Sequence, residues 1–507
     1  MSDNSTNAEG LGRRSITAML WGAGGSVIRI VLQVASQIVL ARLLGPELYG
    51  VFAVALVFVL LSGLFADVGL AYGLIQKRTV SEADIRFVFS WQVILGAVIS
   101  TLLWLTAPHI AEAYGDPRVA HVIAMLAPTC LISCLAATSG SLLRRNMDFK
   151  TLNIALVVSY AIGYFGFAIP LAYSGAGVSA LVAGFLVQSA VTAVIQYAAV
   201  RHAVRPLLWQ SEAPDILSFG LTVLATNLVN WAMSGIDRAI TGSVLGTAAA
   251  GLYATAYNLI STPALTLLSL LQSVFYSASA KVQDDRAQLA RGLRTLFGTV
   301  LLFAAPVFTG IAACADTIIL TLYGDSWRGG GVILAPLALA MPTQMVMGLA
   351  TPVLWASGAT RRELELQVPI AFAWVIVLWL VAQMGSLAVL GWSVLALFIV
   401  RAAVIVGATL KAIDMPLGDL LASSRAGLWL SGLVAVGALL ADRVMAVFLG
   451  VGPLLLAADV IVCAIVMLVG LRVLRGRIDE DIRHLLTALA KTLPGNAGHR
   501  MLALLWP

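Results

Sequence analysis

The sequence has 507 residues, 60% of them hydrophobic and 11% charged, with a mean hydropathy of +0.95 and a formal net charge of +6. Soluble chains are about 45–50% apolar and about 25% charged, so a water-soluble fold is excluded: there is too little polar surface to cover the apolar residues. The basic residues are spread over the segments between apolar runs and the C-terminal tail, not gathered in one patch, which argues against nucleic acid as a partner.

Residues 1–17 open the chain as a polar segment rich in Ser, Asn and Asp, without the separate apolar stretch of a cleavable signal peptide. Fourteen apolar runs follow, at 18–41, 49–72, 87–106, 119–140, 152–173, 178–200, 216–241, 248–277, 293–313, 331–357, 366–382, 388–410, 427–447 and 451–471. Each is long enough, as a helix, to cross a hydrocarbon layer of about 30 Å. The expected fold is therefore an all-α integral membrane protein of about fourteen transmembrane helices. It divides into an N-terminal six-helix lobe (18–200), a cytoplasmic linker (201–215), a C-terminal six-helix lobe (216–410), two additional helices (427–471) and a basic cytoplasmic tail (472–507).

Lys and Arg set the orientation, because cytoplasmic loops retain positive charge during insertion. With the N-terminus inside, 24 of the 31 Lys and Arg are cytoplasmic. Four lie outside (Arg42, Arg118, Arg328, Arg443) and three within spans (Arg29, Arg238, Arg401). Both termini are thus expected in the cytoplasm. Arg401 is expected to reach out to the cytoplasmic face.

The chain repeats itself. Leu44-Gly45, Gly50, Phe52 and Ala53 return as Leu245-Gly246, Gly251, Tyr253 and Ala254, a shift of 201 residues. Tyr114-Gly115-Asp116 likewise matches Tyr323-Gly324-Asp325, and Arg144-Arg145 matches Arg361-Arg362. An even number of spans precedes each restart, so the halves share one orientation and are related by a pseudo-two-fold axis along the membrane normal.

Polar residues interrupt the first span with helical spacing. Ser26, Arg29, Gln33, Ser36 and Gln37 fall on one face, and the same shift of 201 brings them to Asn227, Asn230, Ser234, Asp237 and Arg238. An unpaired Arg near the bilayer centre costs about 2.5–3.5 kcal/mol on insertion scales, so Arg29 is expected to face protein or water. Snorkelling, or a polar lock between helices, is the alternative. Ser26, Arg29, Gln33, Gln37, Asn227, Asn230 and Ser234 are the candidates for lining a substrate cavity, and Asp67, Asp237 and Arg238 for ion coupling or gating. For Asp237 and Arg238, nearer the outer end, simple pairing or solvation stands as the alternative. Gln188, Gln196, Gln272, Gln344 and Gln383 either line a polar path or bond helix to helix.

No phosphate-cradling GxxxxGK[ST] loop, HExxH or Cys/His cluster occurs, so neither a nucleotide, a metal nor another cofactor is expected. Cys130, Cys134, Cys314 and Cys463 lie in or beside apolar runs with no metal-cage spacing and read as buried thiols. No extramembrane segment is long enough for a soluble catalytic domain, and the chain is not expected to be an enzyme.

Leu43-Leu44-Gly45-Pro46-Glu47-Leu48-Tyr49-Gly50, Asp67-Val68-Gly69-Leu70, Ile75-Gln76-Lys77, Ser81-Glu82-Ala83-Asp84 and Arg144-Arg145-Asn146-Met147-Asp148-Phe149-Lys150 occur in that order. Gly251-Leu252-Tyr253, Ala256-Tyr257-Asn258, Thr262-Pro263 and Asp284-Asp285-Arg286 continue the series in the second half. This order resembles the Wzx-type polysaccharide exporters of the multidrug/oligosaccharidyl-lipid/polysaccharide superfamily. The resemblance implies a V-shaped pair of six-helix lobes that open alternately inward and outward around a cationic cavity. It further implies a flippase, driven by ion or voltage gradients, whose substrate is an undecaprenyl-pyrophosphate-linked oligosaccharide and whose partners include the bilayer and a polysaccharide polymerase and export machinery. Arg29 is the cavity cation that it suggests, while the matching position of the second half carries Asn230. The rival readings are a peptidoglycan-precursor flippase or multidrug exporter of the same superfamily and, from another class, a membrane polymerase or ligase on the same lipid carrier.

Overall fold

A computed structural model of the chain describes residues 3–77, 79–210, 213–279, 286–357 and 360–492. Among them there is no strand, as expected where no water is available to satisfy backbone groups and each segment must bond to itself. Eleven described helices are long and apolar enough to cross a membrane. The chain forms two compact units, Met1–Thr255 and Ala256–Pro507.

In the first unit, α1 (Asp3–Asp67) carries two expected spans in one helix, interrupted at Gly45 (φ 71°, ψ 174°). Then come α2 (Leu70–Gln76), α3 (Glu82–Tyr114), α4 (Pro117–Leu126), α5 (Pro128–Arg145) and α6 (Phe149–Tyr160). A π-helical stretch, Ala161–Ala168, joins α6 to α7 (Ile169–Tyr173), and α8 (Val178–Ala199) and α9 (Ala213–Leu245) follow. Helix α10 (Thr247–Ser279) passes into the second unit. Helices α9 and α10 stand at the expected spans 216–241 and 248–277 but are not among the eleven. The core of this unit gathers Leu40, Val51, Val54, Leu103, Ile123 and Leu181, all under 5% exposed, from α1, α3, α4 and α8.

The second unit continues with α11 (Arg286–Ala313), α12 (Ala315–Tyr323), α13 (Gly331–Ala356), α14 (Thr360–Ala382), α15 (Leu387–Ala412), α16 (Leu417–Leu449), α17 (Pro453–Val473) and α18 (Glu480–Thr492). The tail is more than a basic extension. Ile478 and Ile482 pack with Leu302, Leu430 and Leu471, and Arg294 of α11 pairs with Asp481 at 2.5 Å and Asp479 at 3.5 Å.

The repeat has a physical basis. Gly45 and Gly246 both adopt positive φ, 71° and 89°, a conformation that side chains disfavour. The two copies then touch inside the first unit. A Cβ on Gly50 would lie 1.7 Å from the Thr247 carbonyl oxygen, and one on Gly251 would lie 2.0 Å from that of Pro46. Pro46 and Thr247 are themselves 201 positions apart, so the contact is reciprocal, as a pseudo-two-fold relation requires. Tyr114 and Arg118 tie the same end together. The Tyr114 hydroxyl donates to the Ala239 carbonyl at 3.0 Å, and Arg118 bridges Glu47 at 2.6 Å and Asp116 at 2.8 Å. The Arg118 guanidinium holds the Asp116 carboxyl below its ordinary range, so this tie persists at neutral pH and is lost only as pH falls through the carboxylate range.

Several of the family-like motifs are structural. Ser81 caps α3 while Asp84, fully buried, accepts from Lys77 Nζ (2.5 Å), the Ser81 amide (2.8 Å) and Gln210 Nε2 (2.8 Å). Arg145 Nη1 donates to the carbonyls of Leu74 (2.9 Å), Ile75 and Lys77, closing the C-terminal end of α2. Arg145→Gln is expected to cost about 1.5–3 kcal/mol, the range for hydrogen bonds from a charged donor, read as a lower thermal unfolding midpoint of the detergent-solubilised protein.

Candidate functional site

The first polar stripe divides in two along α1. Ser36 is buried and hydrogen-bonded to the Tyr160 hydroxyl (2.6 Å) and the Gln33 carbonyl (3.0 Å); Gln37 Nε2 donates to the Thr255 carbonyl of α10 at 3.0 Å. These residues lock helix to helix. One to two turns toward the N-terminus, Arg29 and Gln33 are half-buried, and Arg29 Nε and Gln33 Oε1 have no hydrogen-bond partner among the described residues. The side chains of Ser26 and Ser234 lie outside the described residues.

The second stripe repeats the lock. Asp237, the counterpart of Ser36, is 2% exposed; it accepts from the Tyr253 hydroxyl of α10 and from the Arg238 amide at 2.9 Å. It is thus a lock between α9 and α10, the pairing that the sequence left open. Arg238 beside it is half-buried. Toward the start of α9, Asn227 is half-buried and Asn230 exposed. Tyr253→Phe is expected to lower the unfolding midpoint by the equivalent of about 1.5–3 kcal/mol, since a buried carboxyl loses its donor; thermal denaturation beside the wild type measures it.

Asp67 sits where α1 gives way to α2, at a corner in which Val68 (φ 45°) and Gly69 (φ 67°) both have positive φ. A β-branched residue there is strained, by about 1–3 kcal/mol, and the surroundings must hold it. Gln92 Nε2 donates to Asp67 Oδ1 at 2.9 Å, and Gln92 Oε1 accepts from Thr138 Oγ1 at 2.5 Å. Asp67 borders a cavity of about 400 Å³ with Arg144, Gln188, Ser189, Thr192 and Gln196. The motif Arg144-Arg145 is therefore split, one guanidinium on the cavity and the other capping α2. Sequence reading missed Gln92 and Thr138; their only signal is an amide and a hydroxyl inside apolar runs.

The tyrosines beside α1 were not foreseen either. Tyr160 and Tyr164 stack at 4.4 Å where α6 passes into its π-helical stretch, which puts a paired aromatic face next to Ser36. In the second unit, Gln272 Nε2 bonds the Gly348 carbonyl at 2.7 Å, one of the helix-to-helix amides allowed for above. Arg401 corrects an expectation. It does not reach solvent: 6% exposed, it donates to Gln367 Oε1 at 2.6 and 3.2 Å, and Gln367 in turn donates to Glu363 at 2.7 Å. A nearby amide–carboxylate chain satisfies the guanidinium better than an extended, solvent-seeking rotamer would.

The family described as polysaccharide biosynthesis protein matches residues 39–330, more than half of the chain. The chain belongs to this polysaccharide biosynthesis protein family. The match takes in both copies of the glycine repeat and Asp67, Arg144 and Asp237, while Arg29, Gln33 and Gln37 precede it. Among family relatives, the lipopolysaccharide biosynthesis protein WzxC of Escherichia coli is 25% identical over 321 residues, 63% of this chain and 65% of that one. The succinoglycan biosynthesis transport protein ExoT of Rhizobium meliloti is 24% identical over 314 residues, 62% of each. The chain thus spans a little under two thirds of the length of these relatives. In fold it is similar to the lipid II flippase MurJ in an inward closed conformation, with a TM-score of 0.70 at 15% identity, covering 90% of this chain and 99% of that one. The polysaccharide biosynthesis family member described here is accordingly a multi-pass, all-α membrane protein with a MurJ-like fold.

Proposed function

We propose that the protein is a flippase that moves undecaprenyl-pyrophosphate-linked oligosaccharide repeat units across the bacterial inner membrane by alternating access, for surface polysaccharide assembly. The observation that carries this reading is the Arg29–Gln33 surface. A guanidinium and an amide, each with a buried atom that no group among the described residues satisfies, sit inside a membrane-spanning helix of a polysaccharide biosynthesis family member. Such atoms are costly unless something polar meets them, and an anionic, hydroxyl-rich headgroup supplies both an anion and hydrogen-bonding partners.

A sugar-pyrophosphate cannot enter hydrocarbon alone, since each unsatisfied polar group there costs several kcal/mol. The protein supplies a wet polar surface for the headgroup while the polyprenyl tail stays in lipid. With fourteen spans and both termini in the cytoplasm, outward movement of the anion follows the inside-negative potential, about 2.3 kcal/mol per charge per 100 mV. About two charges on the pyrophosphate give direction without ATP. Asp67, in its polar cavity, is the first residue at which a coupling ion would act; Asp237 and Arg238 gate through the α9–α10 lock. The protein is not an enzyme in this reading, and hands its cargo to a polymerase and export machinery.

Deletion of the gene in its source bacterium tests the reading. Loss of surface polysaccharide with lipid-linked repeat units retained inside is the expected result. Loss of viability with arrested peptidoglycan synthesis would instead establish the peptidoglycan-precursor reading, altered drug sensitivity with normal polysaccharide the multidrug exporter, and translocated but unpolymerised units a polymerase.

A further inference from the structure

Away from the polar stripes, the second unit contains a cluster of soft and hard ligands that transport of a sugar lipid does not use. Cys314, between α11 and α12, Asp442 in α16 and Asp459 in α17 bring one sulfur and two carboxylate oxygens within 4.8 Å of one another. Cys463, one helical turn beyond Asp459, lies beside the Cys314 thiol but outside this group of three. Cys314, Asp459 and Cys463 border a cavity of about 260 Å³ whose other walls are apolar, Val307, Ile311 and Leu456 among them.

Asp459 is the telling residue. It is 1% exposed, and neither of its carboxyl oxygens has a hydrogen-bond partner. Asp442 has one donor, the Thr317 hydroxyl at 2.6 Å. Among the described residues no ion pair reaches either carboxyl. Two adjacent carboxyls in an apolar setting repel when ionised and lose hydration together, so a stable arrangement needs a proton or a cation between them. The thiol decides which cation. Alkali and alkaline-earth ions take oxygen ligands only, whereas one sulfur and two carboxylate oxygens are three donors of the types that a zinc-class ion takes, with a fourth position left open.

We propose that Cys314, Asp442 and Asp459 bind a transition-metal dication of zinc's class, which fastens the α16–α17 hairpin to the α11–α12 corner. Binding displaces the Cys314 thiol proton to solvent and leaves one thiolate and two carboxylate ligands. The spacing of these residues along the sequence, 128 positions from Cys314 to Asp442 and 17 from there to Asp459, hides the set from any motif search. The site is independent of the cargo the protein carries.

The test uses the full-length protein, purified in detergent without chelators. Elemental analysis should find about one zinc-class ion per chain, and protein stripped by chelator should regain its thermal unfolding midpoint on addition of equimolar Zn²⁺. Asp459→Asn and, separately, Asp442→Asn should each reduce bound metal more than ten-fold and remove the Zn²⁺-dependent rise, while Asp325→Asn, at an exposed carboxyl outside the cluster, retains both. If Asp459→Asn fails to fold, Asp442→Asn at the half-buried ligand carries the comparison. Wild-type protein with neither bound metal nor a response to equimolar Zn²⁺ would overturn the proposal. So would full metal content in Asp442→Asn, or a Cys314–Cys463 disulfide in the native protein by mass spectrometry.

Discussion

Arg29→Gln is expected to reduce export of surface polysaccharide at least ten-fold while leaving the amount of protein in the membrane unchanged. A charge-assisted hydrogen bond from a guanidinium to a phosphate oxygen is worth about 1.5–3 kcal/mol, which is about ten- to a hundred-fold in binding. Stability separates this role from a polar lock. Arg29 Nε has no partner to lose, so removing the charge should leave the thermal unfolding midpoint unchanged or raise it. A lock would show the opposite, a lowered midpoint with export falling in proportion to folded protein. Arg29→Lys, which keeps the charge without the planar fork, should retain part of the activity. Gln37→Leu should behave as the lock that Arg29 is not, because its amide ties α1 to the Thr255 carbonyl.

Gly50→Val and Gly251→Val should each remove most folded protein from the membrane. The added Cβ would meet a carbonyl oxygen at 1.7 and 2.0 Å respectively, and the obstruction is backbone, not a side chain free to move aside. Overpacking ordinarily costs about 1–3 kcal/mol; an obstruction of this kind should exceed about 3 kcal/mol. Because the contact is reciprocal, the two substitutions should weaken the same interface and combine less than additively. Gly407→Ala, inside α15 with open space around its Cβ position, should be neutral or slightly stabilising. A wild-type midpoint for Gly50→Ala would show that the paired repeats do not hold α1 to α10 as described.

Hydropathy made the membrane class legible, because the requirement for self-satisfied backbone acts on each segment alone. The repeat was legible for a related reason. Gly45 and Gly246 answer to local backbone geometry, and Gly50 and Gly251 to a contact that uses the same positions twice. What the sequence could not reveal were partners distant in the chain. Arg401 looked like a snorkelling cation because Gln367 is 34 positions away, and the Tyr253 donor to Asp237 stands on the next helix. Cys314 looked like an isolated buried thiol until packing brought it to Asp442 of α16 and Asp459 of α17. The polar stripe was legible in its helical spacing, but only packing divides its described residues into Ser36 and Gln37, which bind protein, and Arg29 and Gln33, which have atoms left over. The lock recurs at Asp237 in the second stripe.

Transbilayer movement of the lipid by the purified protein tests the central claim most directly. In liposomes under an imposed membrane potential, undecaprenyl-pyrophosphate-linked oligosaccharide in one leaflet can be followed by its accessibility to a membrane-impermeant glycosidase. The account predicts protein-dependent exchange between leaflets, faster when the potential draws the pyrophosphate across and at least ten-fold slower with Arg29→Gln. Exchange no faster than in protein-free liposomes, or equal rates for wild type and Arg29→Gln, would contradict it.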